Sequence, residues 1–375
     1  MRATHATVDL ARLRSNLGVL AGAAGPEVPL CLAVKANAYG HGITAGARAA
    51  VDAGVSMLGV ATVDEAVSLR DAAVAAPVLL LGLPSADDIG ELVASGAQTM
   101  VADLALAREL SAAAGAVDAR VAVHIKVDTG MGRIGCPPER AGELWAAVAE
   151  LPHLDVAGIA THFARADEEQ LDYTRGQLAR FLAACDDCGT AVRHAANSAA
   201  LLRLPESRLD MARPGIAAYG IRPSRYLPAE TELLPALRWT TRIVQMKQVA
   251  AGTGFSYGHR YHTRATTWIA TLPVGYGDGY RRGLSDRAQV AIGGRRYPVV
   301  GTICMDQCLV DIGPRPTAAV GDEVTLIGDP PAPSAEELAA WLETIPYEVL
   351  TGIAARVPRR YEGDHLRGSD PVDGP

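Results

Sequence analysis

The segment "QTMVADLALARELSAAAGAVDARVAVHIKV", residues 98–127, decides the fold. It begins and ends with short apolar runs, "QTMVA" and "ARVAVHIKV". The piece between them is rich in alanine and leucine and begins with Asp103. Aspartate is a favoured helix N-cap, and continuous apolar strands that alternate with helices are typical of a parallel sheet covered by helices. The segment therefore predicts a strand–helix–strand unit.

The same alternation extends over more than half of the chain. A helix with leucines at helical spacing comes first, at Leu10, Leu13, Leu17 and Leu20. Eight apolar runs are then predicted as strands: "PLCLAV", "MLGVA", "PVLLLG", "QTMVA", "ARVAVHIKV", "LDVAGIAT", "AVRHAA" and "LDMARPG". Eight such units in roughly 220 residues favour a (β/α)8 TIM-type barrel. The competing architecture is an open doubly wound sheet, but the GxGxxG motif of its nucleotide-binding form is absent after the first strand.

The composition changes after residue 233. Segments such as "TTRIVQMKQVAAG" and "GDEVTLIG" are rich in Val, Ile and Thr and are interrupted by glycine, which is typical of strands. One helix, "SAEELAAWLETI", is predicted near the end of this region. We expect a barrel domain over residues 1–233, a mainly β C-terminal domain over 234–362 and a disordered tail over 363–375.

Bulk properties restrict the class of protein. The 375 residues are 49% hydrophobic and 21% charged, as in ordinary globular proteins. The net charge of −7 argues against nucleic acid or an anionic membrane as the main partner. No apolar run approaches the ~20 residues of a membrane span, and no hydrophobic signal core is visible near the N-terminus, so we expect a cytoplasmic protein. Cys185 and Cys188 have CxxC spacing, but no second pair completes a zinc site, and we expect no metal.

Candidate site residues lie at the ends of several predicted barrel strands, where barrel enzymes carry their chemistry. The polar ones are Lys35, Lys126, Arg133, His162, Asn197, Ser198 and Arg213, and Gly215 and Ile216 follow Arg213 in the same segment. Each has an ordinary explanation, such as a solvated lysine, a core histidine or a salt bridge at the barrel end. Their occurrence at the same end of the barrel favours a functional site.

The loops after the seventh and eighth strands of a barrel commonly bind phosphate. "NSAALL" offers a hydroxyl and backbone N–H groups at a helix start, and "RPGI" offers backbone N–H groups, which suits an anion. A lysine across the barrel mouth from such a site suggests pyridoxal phosphate (PLP) bound covalently to Lys35.

Eight motifs then carry a resemblance to a known family. In chain order they are "AVKANAYGHG", "KVDTGMGRIG", "THFA", "RPGIAAYG", "SYG", "GYGDGY", "CMDQ" and "YEVL". With these motifs the chain resembles the alanine racemases, PLP-dependent enzymes of fold type III, collinearly to about residue 361.

The resemblance implies a two-base mechanism. Lys35 would hold the cofactor and handle the Cα proton of the D-substrate, and Tyr257 would serve the L-substrate from the opposite face. Racemisation needs both, because a proton leaves one face of a planar carbon and returns to the other. In this family the tyrosine comes from the partner subunit, which implies a head-to-tail homodimer with composite sites.

The resemblance also implies binding roles. Arg213 would hydrogen-bond the pyridine nitrogen without protonating it, because arginine does not give up its proton. His162 would lie between Arg213 and Tyr257. The cofactor-binding residues would further include Tyr39, Asn197, Ser198, Gly215, Ile216 and Tyr347, of which Asn197 rests on its place in "NSAALL".

Substrate contacts follow from the same resemblance. Arg133 would reach both the cofactor and the substrate carboxylate. The backbone N–H of the partner subunit's Met305 would bind that carboxylate, with Asp306 beside it. Tyr276 would narrow the entrance. Lys126 matches a position that is N-carbamylated in several members, where the carbamate orients Arg133.

Three alternatives remain open at this stage. A PLP-dependent decarboxylase on the same barrel would use an acidic partner at the pyridine nitrogen and a glycine-rich phosphate loop. A non-catalytic PLP carrier would lack the second domain. A racemase of serine or another small amino acid is the nearer alternative, because Tyr276 and the entrance residues indicate only a small side chain. Departures at Phe255, Pro346 and Thr351–Gly352 leave the substrate size and the rate open. The usual role of the family is to supply D-alanine for peptidoglycan.

Overall fold

The computed structural model describes residues 2–186, 188–189 and 191–363. The chain divides into two compact units. The first unit contains residues 13–38 and 42–234, and the second contains the N-terminal residues through Arg12, residues 39–41 and the chain from Pro235 onward. The expected division at residues 233 and 234 stays a prediction. The expected tail lies, apart from Gly363, outside the described residues.

The first unit contains a parallel sheet of seven strands in sequential order. These strands are β2 (Cys31–Ala33), β3 (Met57–Val60), β4 (Val78–Leu80), β5 (Gln98–Val101), β6 (Val121–Lys126), β7 (Leu154–Ala160) and β8 (Val192–His194). The segments between and around them include α1 (Leu10–Ala24), the left-handed turn α2 (Lys35–Tyr39), α3 (Ile43–Asp52), α4 (Val63–Asp71), α5 (Ile89–Ser95), α6 (Leu104–Ala116), α7 (Ala141–Ala149), α8 (Asp172–Cys185) and α9 (Ser198–Arg203). The TIM-type barrel fold and seven of its predicted strands are confirmed.

The predicted eighth strand is the exception. Residues 209–215 form only one bridge, between Leu30 and Ala212. The same segment accepts a hydrogen bond from Cys31 N at Ala212 O (2.8 Å) and donates one from Arg213 N to Ala196 O (2.8 Å). Pro214 has no N–H and cannot continue a ladder. An irregular segment therefore occupies the place between β8 and β2, and the strand prediction for these residues was wrong.

Local signals explain why the strand–helix units form. Asp103 caps α6 by accepting a hydrogen bond from Leu106 N (2.9 Å), as its position in the sequence predicts. A common core cluster contains Cys31, Leu79, Met100 and Ala160 of four strands together with Met211 of the irregular segment. Successive residues of β2 and of β4 are all buried, so these apolar runs are buried on both faces, as parallel strands are.

The second unit is built on a nine-stranded sheet in the order β10-β13-β16-β15-β14-β17-β9-β1-β18. Its strands are β1 (His5–Asp9), β9 (Leu237–Arg242), β10 (Gln245–Val249), β13 (Thr267–Leu272), β14 (Gln289–Ile292), β15 (Arg295–Val300), β16 (Cys308–Gly313), β17 (Glu323–Ile327) and β18 (Arg359–Glu362). A ribbon of β11 (Gly254–Phe255) and β12 (Tyr261–His262) and the helices α10 (Ala335–Leu342) and α11 (Pro346–Thr351) complete the regular structure. The mainly β character and the predicted helix near its end are confirmed.

Strand β1 pairs with the sheet of the second unit, although the sequence division assigned its residues to the barrel. The sequence division placed residues 5–9 with the barrel, whereas β1 pairs with β9 antiparallel and with β18 parallel. Ala6 and Val8 are fully buried. The segment is too short for its alternating pattern to be distinguished from the start of α1 in the sequence. Over the described ranges, no helix is long and apolar enough to cross a membrane.

Candidate active site

Lys35 begins an unusual turn directly after β2. Ala36, Asn37 and Ala38 have φ of 51°, 55° and 52°, and Tyr39 follows with 53°. None of these residues is glycine, and a left-handed conformation costs about 1–2 kcal/mol for each such residue. Strained backbone of this kind persists only where the surroundings hold it, and it is concentrated at functional sites.

Backbone and side-chain hydrogen bonds hold the turn. Ala38 N donates to Val34 O (2.7 Å), and Gly42 N donates to Asn37 O (2.9 Å). The Asn37 side chain accepts a hydrogen bond from Ile43 N (2.8 Å), which ties the turn to the start of α3. Because asparagine tolerates the left-handed region and can bond its own surroundings, it suits the middle of this turn.

Several cationic side chains lie close to one another beyond the strand ends. Burial, together with Arg133 and Arg213, lowers the pKa of Lys35, and the same three causes lower the pKa of Lys126 well below its ordinary value. Among the described residues, neither Lys126 nor Arg133 forms an ion pair. Lys126 and Arg213 are buried, Lys35 is partly buried and Arg133 is exposed. Buried positive charges that lie close together are costly unless an anionic ligand compensates them.

His162 lies among these cations. Burial, followed by Lys126, Arg213, Arg133 and Lys35, lowers its pKa well below the ordinary value. The imidazole is therefore neutral at neutral pH. Its backbone oxygen accepts a hydrogen bond from the Gln177 side chain (3.2 Å).

Arg213 is buried and its guanidinium is almost completely bonded. One terminal nitrogen donates to His194 O (2.7 Å) and to His194 Nδ1 (2.6 Å), and the other donates to Thr161 O (2.6 Å) and Ala195 O (3.2 Å). Nε has no partner among the described residues. Burial lowers the pKa of Arg213 to about 10, which leaves it charged at neutral pH. The side chain thus offers one N–H to a ligand atom that accepts a single hydrogen bond, as a neutral pyridine nitrogen does.

Behind Arg213 lies a chain of buried polar groups that the sequence analysis did not single out. His194 Nε2 is 2.8 Å from His124 Nδ1, and His124 Nε2 is 2.8 Å from Gln98 Oε1. Because arginine only donates, His194 Nδ1 must accept, so its proton is on Nε2 and His124 must be protonated on Nε2 as well. Burial lowers the pKa of His124 to about 4, in agreement with two neutral rings. The only sequence signal was a histidine inside each of two apolar strands.

Gly158 on β7 provides the space for this chain. A Cβ at this position would lie 2.1 Å from His124 Nδ1. We therefore expect Gly158→Ala to displace the imidazole and to lower the free energy of unfolding by about 1–3 kcal/mol. Chemical denaturation measures this change. Gly90→Ala is the matched control: the site in α5 has nothing within 4 Å, so stability stays the same or rises by up to about 1 kcal/mol. Equal midpoints for Gly158→Ala and the wild type would contradict a tightly fitted histidine chain.

The two segments predicted to bind phosphate lie together. Ser198 Oγ accepts hydrogen bonds from Gly215 N (2.8 Å) and Ala217 N (3.4 Å), so the start of α9 meets the segment that contains Ile216. Asn197 caps α9 by accepting a hydrogen bond from Ala200 N (3.0 Å). Its side chain therefore has a structural role, and its cofactor role stays a prediction.

Two further predicted phosphate ligands belong to the second unit. The rings of Tyr39 and Tyr347 have centroids 5.8 Å apart. Gly40 is required beside them, because its φ is +84° and a Cβ would lie 2.2 Å from Leu350 O. Pro346 occupies the first turn of α11, where its missing N–H costs nothing.

The remaining predicted residues, Tyr257, Tyr276, Met305 and Asp306, also lie in the second unit. Tyr257, Tyr276 and Met305 are 73%, 42% and 53% exposed in this single chain. Tyr276 N donates to Cys304 O (3.0 Å), next to Met305. The hydroxyl of Thr302 donates to Tyr257 O (2.9 Å). Loops from three parts of the sequence therefore present an unusually exposed group of large side chains.

An ion-pair network that the sequence analysis missed fixes these loops. The carboxylate of Asp278 is fully buried and pairs with Arg356 Nε (2.7 Å) and Arg2 (2.6 Å). Arg356 also donates to Asp306 Oδ1 (2.8 Å) and to Met305 O (3.3 Å). The network sets the path of the backbone at Met305 and Asp306.

Cys185 of the CxxC segment ends α8, and Cys188 follows it. Burial raises the pKa of Cys185 to about 12, so its thiol stays protonated. Cys188 is buried. Within the described ranges, no group of three or more His, Cys, Asp or Glu side chains is placed to hold a metal ion.

Comparisons with known proteins place this barrel and β unit among the amino-acid racemases. The sequence matches "Alanine racemase, N-terminal domain" over residues 8–223 and "Alanine racemase, C-terminal domain" over residues 236–361. It is 44% identical to an alanine racemase of Desulfovibrio desulfuricans, with 96% of this chain and 98% of the relative covered, and 45% identical to one of Symbiobacterium thermophilum, with 97% and 98% covered. An alanine racemase structure from Clostridium difficile superimposes with a TM-score of 0.93 at 36% identity, with 96% of each chain covered. The chain belongs to the alanine racemase family, and it is an amino-acid racemase.

Proposed function

We propose that the enzyme interconverts L-alanine and D-alanine with PLP as its cofactor, using Lys35 of one subunit and Tyr257 of a second copy as the two bases. The observation that carries this proposal is the group of cations around Lys35, in which Nε is the one guanidinium nitrogen of Arg213 that bonds no described residue. An anionic cofactor with a neutral ring nitrogen fits that donor set.

The residues present suit PLP in three respects. Arg213 Nε–H would bind the pyridine nitrogen. Ser198, Gly215 and Ile216 would hold the phosphate with Tyr39, Tyr347 and Asn197. Lys35 would attach the cofactor covalently. When bound, the cofactor supplies an electron-withdrawing ring that acidifies the substrate Cα–H. An acidic group at the ring nitrogen, as a decarboxylase of this fold type would use, is not what Arg213 provides.

The protein's own groups would move the proton. Because burial and Arg133 lower the pKa of Lys35, a larger fraction of its amine is unprotonated at neutral pH and can accept the Cα proton of D-alanine. Tyr257, exposed in the single chain, would meet the opposite face in the site of the second copy. Because the two bases would come from different copies of the chain, the active enzyme would be a homodimer with two composite sites.

Positioning of the substrate carboxylate would rest on three groups. Arg133 carries a charge without a carboxylate partner among the described residues. The backbone N–H of the partner subunit's Met305 would bind the same carboxylate. In each chain Asp306 lies beside Met305 and is held by Arg356. Tyr276 would limit the size of the side chain that enters.

Lys126 would be N-carbamylated, and the carbamate would orient Arg133. CO2 adds to the neutral amine with loss of one proton, and burial lowers the pKa of Lys126 so that this form is available. We expect a carbamate carbon signal after incubation with ¹³C-labelled bicarbonate. The signal decreases as the pH falls, since the amine then protonates, and it is absent in Lys126→Met. An unlabelled wild-type protein would contradict the modification.

A panel of L-amino acids in D2O tests the proposed reaction. The measurements are deuterium incorporation at Cα and loss of optical rotation. We expect both with alanine at a higher kcat/KM than with any other member. Faster turnover of serine would identify the second candidate, and release of CO2 would contradict a racemase. A cytoplasmic location and a role in supplying D-alanine for peptidoglycan stay part of this proposal and rest on the family.

A further inference from the structure

Glu65 is an acidic residue without an assigned role that bonds directly to the turn after Lys35. It lies in the first turn of α4, after β3. Its Oε1 accepts a hydrogen bond from Ala36 N (2.6 Å). Its Oε2 accepts hydrogen bonds from Ala61 N (2.8 Å) and Thr62 N (3.4 Å). One carboxylate thus connects the loops that follow two neighbouring barrel strands.

We propose that Glu65 is a positioning residue for Lys35, because its carboxylate fixes the amide of Ala36 and thereby holds the left-handed turn. The claim that Glu65 affects cofactor attachment rests on the proposed function of Lys35. The claim that Glu65 holds the left-handed turn is independent of that function.

The bond to Ala36 answers a specific need of the turn. The first N–H groups of any helical turn lack a carbonyl partner within that turn. Ala36 N is the first amide after Lys35. It lies in a segment whose non-glycine residues have positive φ, which raises the free energy of the folded turn. An ionised carboxylate makes a shorter and stronger hydrogen bond than a neutral acceptor. The 2.6 Å bond therefore opposes relaxation of the turn at the residue next to the reactive lysine.

The second carboxylate oxygen keeps the acceptor in place. Oε2 is held by two amides of the β3–α4 loop, and the Thr62 hydroxyl accepts a hydrogen bond from Glu65 N (3.3 Å) in return. Rotation of the carboxylate away from Ala36 would break these bonds as well. Glu65 is also the acidic group that acts on Lys35, where it opposes Arg133 and Arg213.

Glu65 also completes a capping box of α4, so helix capping alone must be distinguished from positioning. The chain provides a matched control in the same unit. Asp88 completes a similar box with Ser85: its carboxylate accepts from Ser85 N (3.2 Å) and Ser85 Oγ (2.6 Å), and its backbone N–H donates to Ser85 O (3.1 Å). No bond joins Asp88 to residues 35–39, all of which the structure describes. Loss of either acid removes a cap, but only loss of Glu65 releases Ala36.

The test compares Glu65→Ala, Glu65→Gln and Asp88→Ala by two measurements. Hydrogen–deuterium exchange of the peptide that spans residues 34–42, on the cofactor-free enzyme, reports the turn. Borohydride trapping with PLP, followed by peptide mass spectrometry, reports the fraction of Lys35 bonded to the cofactor. We expect Glu65→Ala to raise the exchange rate about tenfold and to lower the fraction of Lys35 that is trapped about tenfold at a limiting PLP concentration. Glu65→Gln keeps a neutral hydrogen-bond acceptor, so its exchange rate and its trapped fraction should lie between those of Glu65→Ala and the wild type.

The outcomes separate the possibilities. Asp88→Ala should match the wild type in both measurements. Wild-type exchange and trapping in both Glu65 variants would overturn the proposal and leave Glu65 as a helix cap only. If Glu65→Ala fails to fold, Glu65→Gln alone is the test: intermediate exchange and trapping support positioning by Glu65, and wild-type values overturn it. Failure of the proposed function is a different result, because wild-type Lys35 would then not be trapped at all, whereas the exchange measurement would be unaffected.

Discussion

Lys35→Ala loses nearly all racemase activity, with kcat lower by about 10⁴-fold or more. The variant removes both the covalent attachment of the cofactor and the base for the D-substrate. No other described lysine follows β2, since Lys126 is the last residue of β6 and Lys247 lies on β10. Steady-state racemisation of alanine at saturating PLP measures the loss, and borohydride trapping shows that the cofactor is no longer bonded.

Lys35→Arg is the control for charge. Arginine keeps the positive charge beside Arg133 and Arg213. It cannot act as a base, because its guanidinium stays protonated in proteins. We expect a loss as large as that of Lys35→Ala. Recovery of activity to within tenfold of the wild type in either variant would mean that Lys35 contributes charge rather than chemistry.

Tyr257→Phe has the second largest expected effect, and this effect depends on the enantiomer. Exchange of the Cα proton of L-alanine in D2O slows by about 10²–10⁴-fold, because the base on that face is lost. Exchange of D-alanine continues, since Lys35 removes and returns the proton on the same face. The appropriate measurement is the initial rate of Cα–H loss from each pure enantiomer, followed by NMR.

Racemisation rates alone cannot show this asymmetry. Two enantiomers have equal free energy in water, so kcat/KM must fall by the same factor in both directions whatever the mutation does. Tyr297→Phe provides a control for the loss of a tyrosine hydroxyl: this residue lies on β15 and bonds the Thr317 hydroxyl. It should leave both exchange rates unchanged. Equal losses for L- and D-alanine in Tyr257→Phe would contradict the assignment of the two bases.

The sequence predicted the barrel because its signals were local and repeated. Residues 98–127 showed an apolar strand, a cap at Asp103 and a second strand, and each of these elements is present. The prediction failed at residues 209–215, where an apolar run contained Pro214. Whether that proline ends a strand or only interrupts its pairing depends on its neighbours in space. Strand β1 was missed for a similar reason, as its partners β9 and β18 lie more than 200 residues away.

The sequence predicted those site residues that occur in motifs. It did not predict residues that only hold another site residue in position. Lys35 and Arg213 were found from their places after strands and from the resemblance. The left-handed turn could not be predicted, because alanine and tyrosine normally avoid positive φ. His124 and His194 looked like isolated core residues until their 2.8 Å contact connected them to Arg213. Glu65 belongs to none of the motifs, and only the structure connects it to Ala36.

The most direct test of a site shared between two copies is subunit complementation. Differently tagged Lys35→Ala and Tyr257→Phe chains are co-expressed, and the heterodimer is purified through both tags. If each site combines Lys35 of one copy with Tyr257 of the other, one site of the heterodimer carries both substitutions and the second carries neither. The heterodimer should then have about half of the wild-type activity, although both parent homodimers are nearly inactive. A heterodimer as inactive as its parents would contradict the shared site, because it would place both bases on one chain.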